Sequence, residues 1–445
     1  MWSGLMEHLA TFAKQFSLEQ VPNEVIERAK WMLLDSIAAI AYGNQHPNIV
    51  RLMNRLENKA EMNKANGAPV VGTDKSLDEQ HAAFVNAVAM VSYELDEGNP
   101  KAKGHPAAHF LPALLAMAIT KRLSGKTFLE AFLLNYEISA RLGASLRLNE
   151  KIHPHGNWGV FGNGFGVGKL FDWDETDMLN GAFISSSFAF PTLWKSILEG
   201  HEVRNVIIGL NNLHTTLLPD LVHAGYSASA STLSELYTGV LAEGYEEMAD
   251  DLGDTYYIMH SYFKFYSYCR FCHAPIDAVL ALAKDIPLNE IKKITVKTYG
   301  LAARLDGKDI ENEFSGKFSI PYAIASELYE FYKLKEALAV ERQTFVKDMM
   351  QRIFVYEDET YTKLQSVKRM TAVAITLHDG TVIEKEVDRA KGDADEEALE
   401  QKIIDKSKMY LQSIFGEQKT NAIIEMLLNI EFVSNLADLQ YTLTK

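Results

Sequence analysis

Two cysteines in 445 residues exclude a disulfide framework, and no uninterrupted apolar run approaches the roughly 20 residues needed to cross a bilayer. Excess positive charge is missing too. The formal net charge of -15 makes non-specific binding to nucleic acid or to anionic lipid unfavourable, so neither is expected as a partner. The stretch from Met1 to Gln15 has no basic start followed by an apolar run and carries Glu7 early, which leads us to expect a protein of the reducing cytoplasm. Up to about Tyr256 almost nothing alternates with period two, so a sheet is not expected there.

What remains is globular. A hydrophobic fraction of 47% and a charged fraction of 23% exclude a largely disordered chain, and the length predicts two domains, each with its own core. Helical spacing predicts helices over Pro22 to Ala41, Leu77 to Tyr93, Leu111 to Leu123 and Phe128 to Leu148. The same spacing continues over Phe161 to Leu170, Asp174 to Ser187, Glu202 to Ala224 and Ala228 to Leu236. Gly162, Gly164, Gly166 and Gly168 weaken one of these but would let two helices approach closely. Beyond Tyr256 the alternating stretches Lys292 to Tyr299, Arg352 to Tyr356, Ala372 to Leu377 and Val382 to Val387 predict a small sheet, the last two joined by a turn at His378 to Thr381. Helices are expected between them at Pro275 to Ala283, Ile320 to Lys333 and Lys335 to Val340. Asp388 to Asp395 reads as a solvated connector. From Glu396 onward the pattern is helical again and predicts a tail packed on the first domain. The expected boundaries are therefore 1–255 with 396–445 for the helical domain and 256–395 for the α+β one.

Both cysteines fall in the run Cys269-Arg270-Phe271-Cys272-His273-Ala274-Pro275-Ile276-Asp277. Its spelling matches the c-type haem attachment signature, which requires an export route that the N-terminal residues do not suggest. A redox C-x-x-C is left open by the local order, since its reactive thiol belongs at a helix N-terminus after a strand.

Three further clusters carry polar chemistry. Tyr93-Glu94-Leu95-Asp96-Glu97-Gly98-Asn99 is followed by Lys101, Lys103, His105 and His109; this loop can set a carboxylate and His105 on opposite sides of a polar ligand. His109 opens an apolar run and reads as a cap or packed histidine. Ile152-His153-Pro154-His155-Gly156-Asn157 places two histidines beside glycine ahead of a helix, where a ligand can approach the backbone closely. Lys195, in Pro191-Thr192-Leu193-Trp194-Lys195-Ser196, is expected to be partly desolvated and so suited to holding a carboxylate or moving a proton. No zinc-ligand spacing such as H-E-x-x-H is present, and neither a metal nor a cofactor is expected.

Taken together, these clusters and the segments Asp35 to Gly43, Ala83 to Ala87, Gly104-His105-Pro106, Gly159 to Gly162, Gly200 and Phe318 to Tyr322 resemble the MmgE/PrpD family along the whole chain. That family includes 2-methylcitrate dehydratase, cis-aconitate decarboxylase and iminodisuccinate epimerase. The resemblance implies a mostly α fold: a large all-helical domain formed by both chain ends, an inserted smaller α+β lid domain, and a cleft at their junction. It also implies a homodimer without cofactor and a small polycarboxylate substrate. His105, His153, Lys195 and His273 stand where the family carries its site histidines and lysine.

The departures fall mainly in the first cluster. Where the family commonly has a histidine and then Asp-Phe-Asp-Asp-Thr, this chain has Val91-Ser92-Tyr93-Glu94-Leu95-Asp96-Glu97-Gly98, so the histidine and the threonine hydroxyl are missing. His155 replaces a usual threonine, and Ser196 follows the lysine. The resulting expectation is a cofactor-independent lyase, with dehydration of a 2-methylcitrate-like hydroxy acid as its leading form. Epimerisation, decarboxylation and non-catalytic ligand binding are the alternatives. Lys195 and His105 would bind and stabilise negative charge, His153 or His273 would deliver a proton, and Glu94 would be the base or would orient a histidine. Arg270, His155 and Asp96 would contact substrate.

Overall fold

The computed structural model describes residues 2–57, 67–248, 251–336 and 340–445. Helices dominate among them, as expected for a mostly α chain. Two compact units are formed. The first comprises Met1–Trp194, Val203–Phe263 and Glu397–Lys445, and the second comprises Lys195–Glu202 and Lys264–Glu396.

In the first unit, helices run over Asn23–Gly43, Glu79–Met90, Leu111–Thr120, Gly125–Ser145, Glu175–Ser186 and Val203–His223. Several begin where a side chain can satisfy an orphan amide: Asp78, Ser124 and Asp174 accept from the backbone N–H groups of His81, Thr127 and Asp177. Leu111 to Ile119 are all buried, which places that apolar run at the centre of the unit. The short helix Asn163–Leu170 packs against Gly125–Ser145 on one side and Glu175–Ser186 on the other. A Cβ at Gly164 would lie 1.9 Å from the backbone nitrogen of Ala182, so the glycines that weaken this helix are what permit the contact. The tail forms the helix Leu399–Leu428, which lies along Asn23–Gly43. A buried ion pair joins them, with Lys406 Nζ 2.7 Å from Asp35 Oδ1.

The second unit is built on a four-stranded sheet ordered Ile353–Glu357, Ile291–Thr298, Thr371–Leu377, Val382–Val387. The first pair is parallel and the others antiparallel, with Val296 opposite Val355 on one side and Val373 on the other. Ile294, Val296, Val373 and Ile375 point to the buried face, and His273–Ala283 packs against the strand Thr371–Leu377.

Several expectations need correction. The first unit does contain strands: Ala68–Pro69 pairs with Ser76–Leu77, and Leu146–Leu148 pairs with Ala242–Tyr245. The helix expected to reach Leu148 therefore stops at Ser145, because Leu146 and Leu148 find a strand partner distant in sequence. The helix expected over Lys335 to Val340 falls partly on 337–339, outside the described residues; Lys335 belongs to the last turn of Ile320–Glu336. A further helix, Arg342–Gln351, went unanticipated. Asp388 to Asp395 is more than a solvated connector, since Ala390 and Gly392 are buried and its carbonyls are bonded by Arg270.

Replacing Gly164 with alanine should lower stability by about 2 kcal/mol or more, because a backbone contact cannot rotate away as a side chain can. Urea denaturation of the variant checks this; an unchanged midpoint would mean that the helices do not meet so closely.

Candidate active site

The first polar cluster is a buried turn and not a solvated loop. After Glu79–Met90 the chain bends through Glu94, a non-glycine residue in the left-handed region with φ of 55°. Glu94, Asp96 and Glu97 are 2%, 0% and 0% exposed, so each carboxylate must be answered by the protein itself. Glu97 Oε1 accepts the N–H of Ala107 at 2.8 Å, and its Oε2 accepts the Tyr136 hydroxyl at 3.2 Å. Gly98 and Tyr262 exchange backbone hydrogen bonds of 3.1 and 2.8 Å, which ties the end of the turn to a later segment of the same unit.

Asp96 faces histidines. His105 Nδ1 lies 3.1 Å from Asp96 Oδ2 and also makes a short contact with the Glu97 carbonyl, so the proton of the neutral ring belongs on Nδ1. His155 Nε2 lies 3.9 Å from the same oxygen. The His155 ring meets those of His105 and His153 edge-on, with centroids 4.7 Å away in each case. His153 Nδ1 accepts the N–H of His155 at 3.1 Å, which leaves the proton of the neutral ring on Nε2. The loop holding these rings is fastened by three bonds: His153 N–H to the Thr192 carbonyl at 2.8 Å, Asn157 Nδ2 to the His153 carbonyl at 2.8 Å, and Gly156 N–H to His109 Nε2 at 2.9 Å. His105, His153, His155 and Asp96, drawn from two separate sequence clusters, thus converge in the first unit.

His109 is the packed histidine expected from the sequence. Its Nδ1 donates to the His105 carbonyl at 2.9 Å while its Nε2 accepts from Gly156, so the neutral ring bridges the two clusters. Complete burial pushes its pKa down to about 4. Gly159 gives it room, since a Cβ there would sit 2.3 Å from ring atoms of His109.

Glu94 is placed differently from expectation. Its carboxylate forms a fully buried ion pair with Arg204, whose Nη2 also donates to the Val91 carbonyl at 3.2 Å. A carboxylate paired with a guanidinium is held in its anionic form and is a poor proton acceptor, so Glu94 does not suit the base role; Asp96, expected to touch substrate, is the carboxylate that orients a histidine. Arg204 and Lys406 were missed by the sequence reading. The available signal was a charge inside an otherwise helical pattern, as with Asp35 in Trp31 to Ile40.

The remaining expected site residues lie in the second unit. Lys195 stands in the short helix Trp194–Leu198 with its side chain 82% exposed and Nζ 3.8 Å from Glu199, so it is not desolvated as expected. Arg270 is buried and directed inward: it donates to the carbonyls of Lys391 and Ala390 at 2.8 and 3.1 Å and pairs with Asp393. These contacts brace the 388–395 segment. His273 begins the helix His273–Ala283, with Nε2 3.1 Å from the Tyr268 carbonyl and Nδ1 3.3 Å from Arg270 Nη1. Cys272 is fully buried and burial pushes its thiol pKa well up, which disfavours the thiolate a redox pair needs.

Asp96, His105 and His155 each offer one metal-ligating atom, all within 4.8 Å of one another. Ligands of a tetrahedral zinc with bonds near 2.0 Å stand roughly 3.3 Å apart, so the cluster would have to contract to close on an ion. His105 Nδ1 is also engaged by the Glu97 carbonyl.

The depressed pKa of His109 makes stability depend on pH. The unfolded ring takes up a proton below its ordinary value of 6.5, whereas the folded ring resists until about pH 4, so stability falls as pH drops across that window. The loss should reach about 3 kcal/mol at most. In His109→Gln the stability profile should be flatter than the wild-type one between those pH values when both are followed by urea denaturation; parallel profiles would show that His109 titrates normally.

Comparison with protein-family models matches residues 7–242 to the MmgE/PrpD N-terminal domain and residues 266–431 to the MmgE/PrpD C-terminal domain. Among characterised proteins, a cis-aconitate decarboxylase of Aspergillus terreus is 22% identical, covering 98% of this chain and 95% of the relative. The cis-aconitate decarboxylase-like protein oryM of Aspergillus oryzae is 24% identical, covering 65% of each chain. Human cis-aconitate decarboxylase is 26% identical over 42% of this chain and 40% of its own length. With the two family models together covering most of the sequence, the chain belongs to the MmgE/PrpD family.

Proposed function

We propose that this protein is a cofactor-independent lyase of small polycarboxylates, and that its reaction is decarboxylation of a cis-aconitate-like tricarboxylate. The observation carrying this reading is the convergence of Asp96, His105, His155 and His153 inside one unit, and the near full-length similarity to a cis-aconitate decarboxylase supports it. When the carbon–carbon bond breaks, its electron pair passes onto the carbon skeleton and is spread over a remaining carboxylate. The enzyme must stabilise that charge and return a proton to carbon. His153 is the proposed donor, because its Nδ1 accepts a backbone N–H and its Nε2 carries the transferable proton. His273 is the poorer candidate, since its Nε2 faces the Tyr268 carbonyl. Asp96 holds His105 in one tautomer and stabilises it as a cation beside the developing negative charge.

Dehydration of a 2-methylcitrate-like hydroxy acid is the second reading, and the pairing of unlike imidazoles favours it. His105 with Asp96 has the arrangement of a base, while His153 has that of an acid, and elimination needs one of each. The two reactions are distinguished by incubating purified protein with citrate-like, aconitate-like and amino-dicarboxylate compounds in deuterated water and following them by NMR. Loss of carbon dioxide with one deuterium placed on product carbon is expected. Loss of water instead would support the dehydratase, deuterium exchange without net conversion would mean an epimerase, and binding without turnover would defeat the catalytic reading. Dialysis against a chelator should leave the activity unchanged, and a loss restored by added divalent metal would refute cofactor independence. His153→Ala should lower kcat by about 100-fold or more with the fold intact.

A further inference from the structure

The turn bearing Asp96 is gripped by two buried cations that come from helices remote in sequence. Arg204, fully buried on Val203–His223, pairs with Glu94 and donates to the Val91 carbonyl at 3.2 Å. Lys406, on Leu399–Leu428 with 4% of its side chain exposed, donates to the Leu95 carbonyl at 3.1 Å and pairs with Asp35 at 2.7 Å. Three points within five residues are therefore fixed from outside: the carbonyl before the bend, the carboxylate at its apex, and the carbonyl that shares a peptide plane with the Asp96 nitrogen.

The apex is where external support is required. Glu94 occupies the left-handed region with φ of 55°, a conformation costing an ordinary residue about 1 kcal/mol or more and persisting where the surroundings enforce it. Releasing Glu94 to an extended conformation would turn the following peptide and carry Asp96 away from His105. The charges also balance locally, Arg204 with Glu94 and Lys406 with Asp35, so each cation can stay in the interior. Replacing the ion pairs with apolar groups of equal volume would remove the cost of burying charge but would lose the directional hold on the turn.

We propose that Arg204 and Lys406 are positioning residues that clamp the Val91–Asp96 bend so that the Asp96 carboxylate is aimed at His105 and His155. The inference rests on the proton-transfer role proposed for that cluster. The clamp acts through Asp96, touching no substrate, and its loss should fall on kcat with KM little changed.

The test uses Glu94→Gln, which keeps the shape and removes the charge facing Arg204, together with Arg204→Ala, Arg204→Lys and Lys406→Gln in the full-length chain. Each should lower kcat by about 10- to 100-fold, the scale of an ångström-sized misplacement, while KM stays within about twofold. Adding methylguanidinium should restore part of the activity of Arg204→Ala, as a free cation fills the vacated site. Nitrogen-15 spectra of labelled histidine give a readout independent of turnover: His105 should carry its proton on Nδ1 in the wild-type protein and show mixed tautomers in Glu94→Gln. If Arg204→Ala does not fold, Glu94→Gln and Arg204→Lys decide the matter. Folded variants with wild-type kcat and an unchanged His105 tautomer would overturn the proposal. Should the wild-type protein turn over no polycarboxylate, the function above fails, and the tautomer comparison still decides whether the clamp exists.

Discussion

A carboxylate cut off from solvent has to be answered by donors or by positive charge nearby, and Asp96 is such a group. Its neighbours are the imidazoles of His105 and His155, rings that can each donate or accept a proton. That exchange is what the proposed chemistry uses. A fixed cation in the same place would stabilise Asp96 and have no proton to give. The adjoining carboxylates are treated oppositely: Glu94 is matched by a guanidinium, and Glu97 by an amide and a phenol. Of the three, Asp96 has imidazoles against its carboxylate.

Holding such a cluster still requires connections between segments that are distant in the chain. His109 supplies one, bridging the His105 carbonyl and the Gly156 amide with a ring that burial keeps neutral. It can bridge an acceptor to a donor because neutral imidazole is both at once, which neither a lysine nor a carboxylate could be. The absence of a side chain at Gly159 makes space for it. The same unit binds its C-terminal helix back onto Asn23–Gly43 through Lys406 and Asp35, so the integrity of the site and the packing of the tail share a residue.

Much of the helical framework was legible because amphipathic spacing is a local property. The helices beginning near Asn23, Leu111, Glu175 and Val203 start within about two residues of where periodicity and capping chemistry put them. The sheet was legible for the same reason, its central strands Ile291–Thr298 and Thr371–Leu377 alternating onto a buried face. The misreadings at Leu146 to Leu148 and at Glu94 are long-range in origin. Leu146 to Leu148 looks helical until Ala242 to Tyr245 offers it a strand partner. Glu94 looks like a base until Arg204, 110 residues onward, pairs with it. Lys195 sits between an aromatic and an aliphatic segment in sequence yet projects outward on a short helix. The family resemblance led us to expect His105, His153, Lys195 and His273 in one site; the first unit brings His105 and His153 together with His155 beside them, whereas Lys195 and His273 belong to the second unit.

The proposed chemistry depends on Asp96 working through His105. Asp96→Asn keeps the side chain's shape and removes its charge, and steady-state kinetics on the best substrate, with thermal unfolding as a control for folding, would measure what that charge contributes. A fall in kcat of about 100-fold or more in a folded variant is predicted, in line with the loss of a positioned proton-transfer partner. A folded Asp96→Asn protein turning over at the wild-type rate would contradict the central claim.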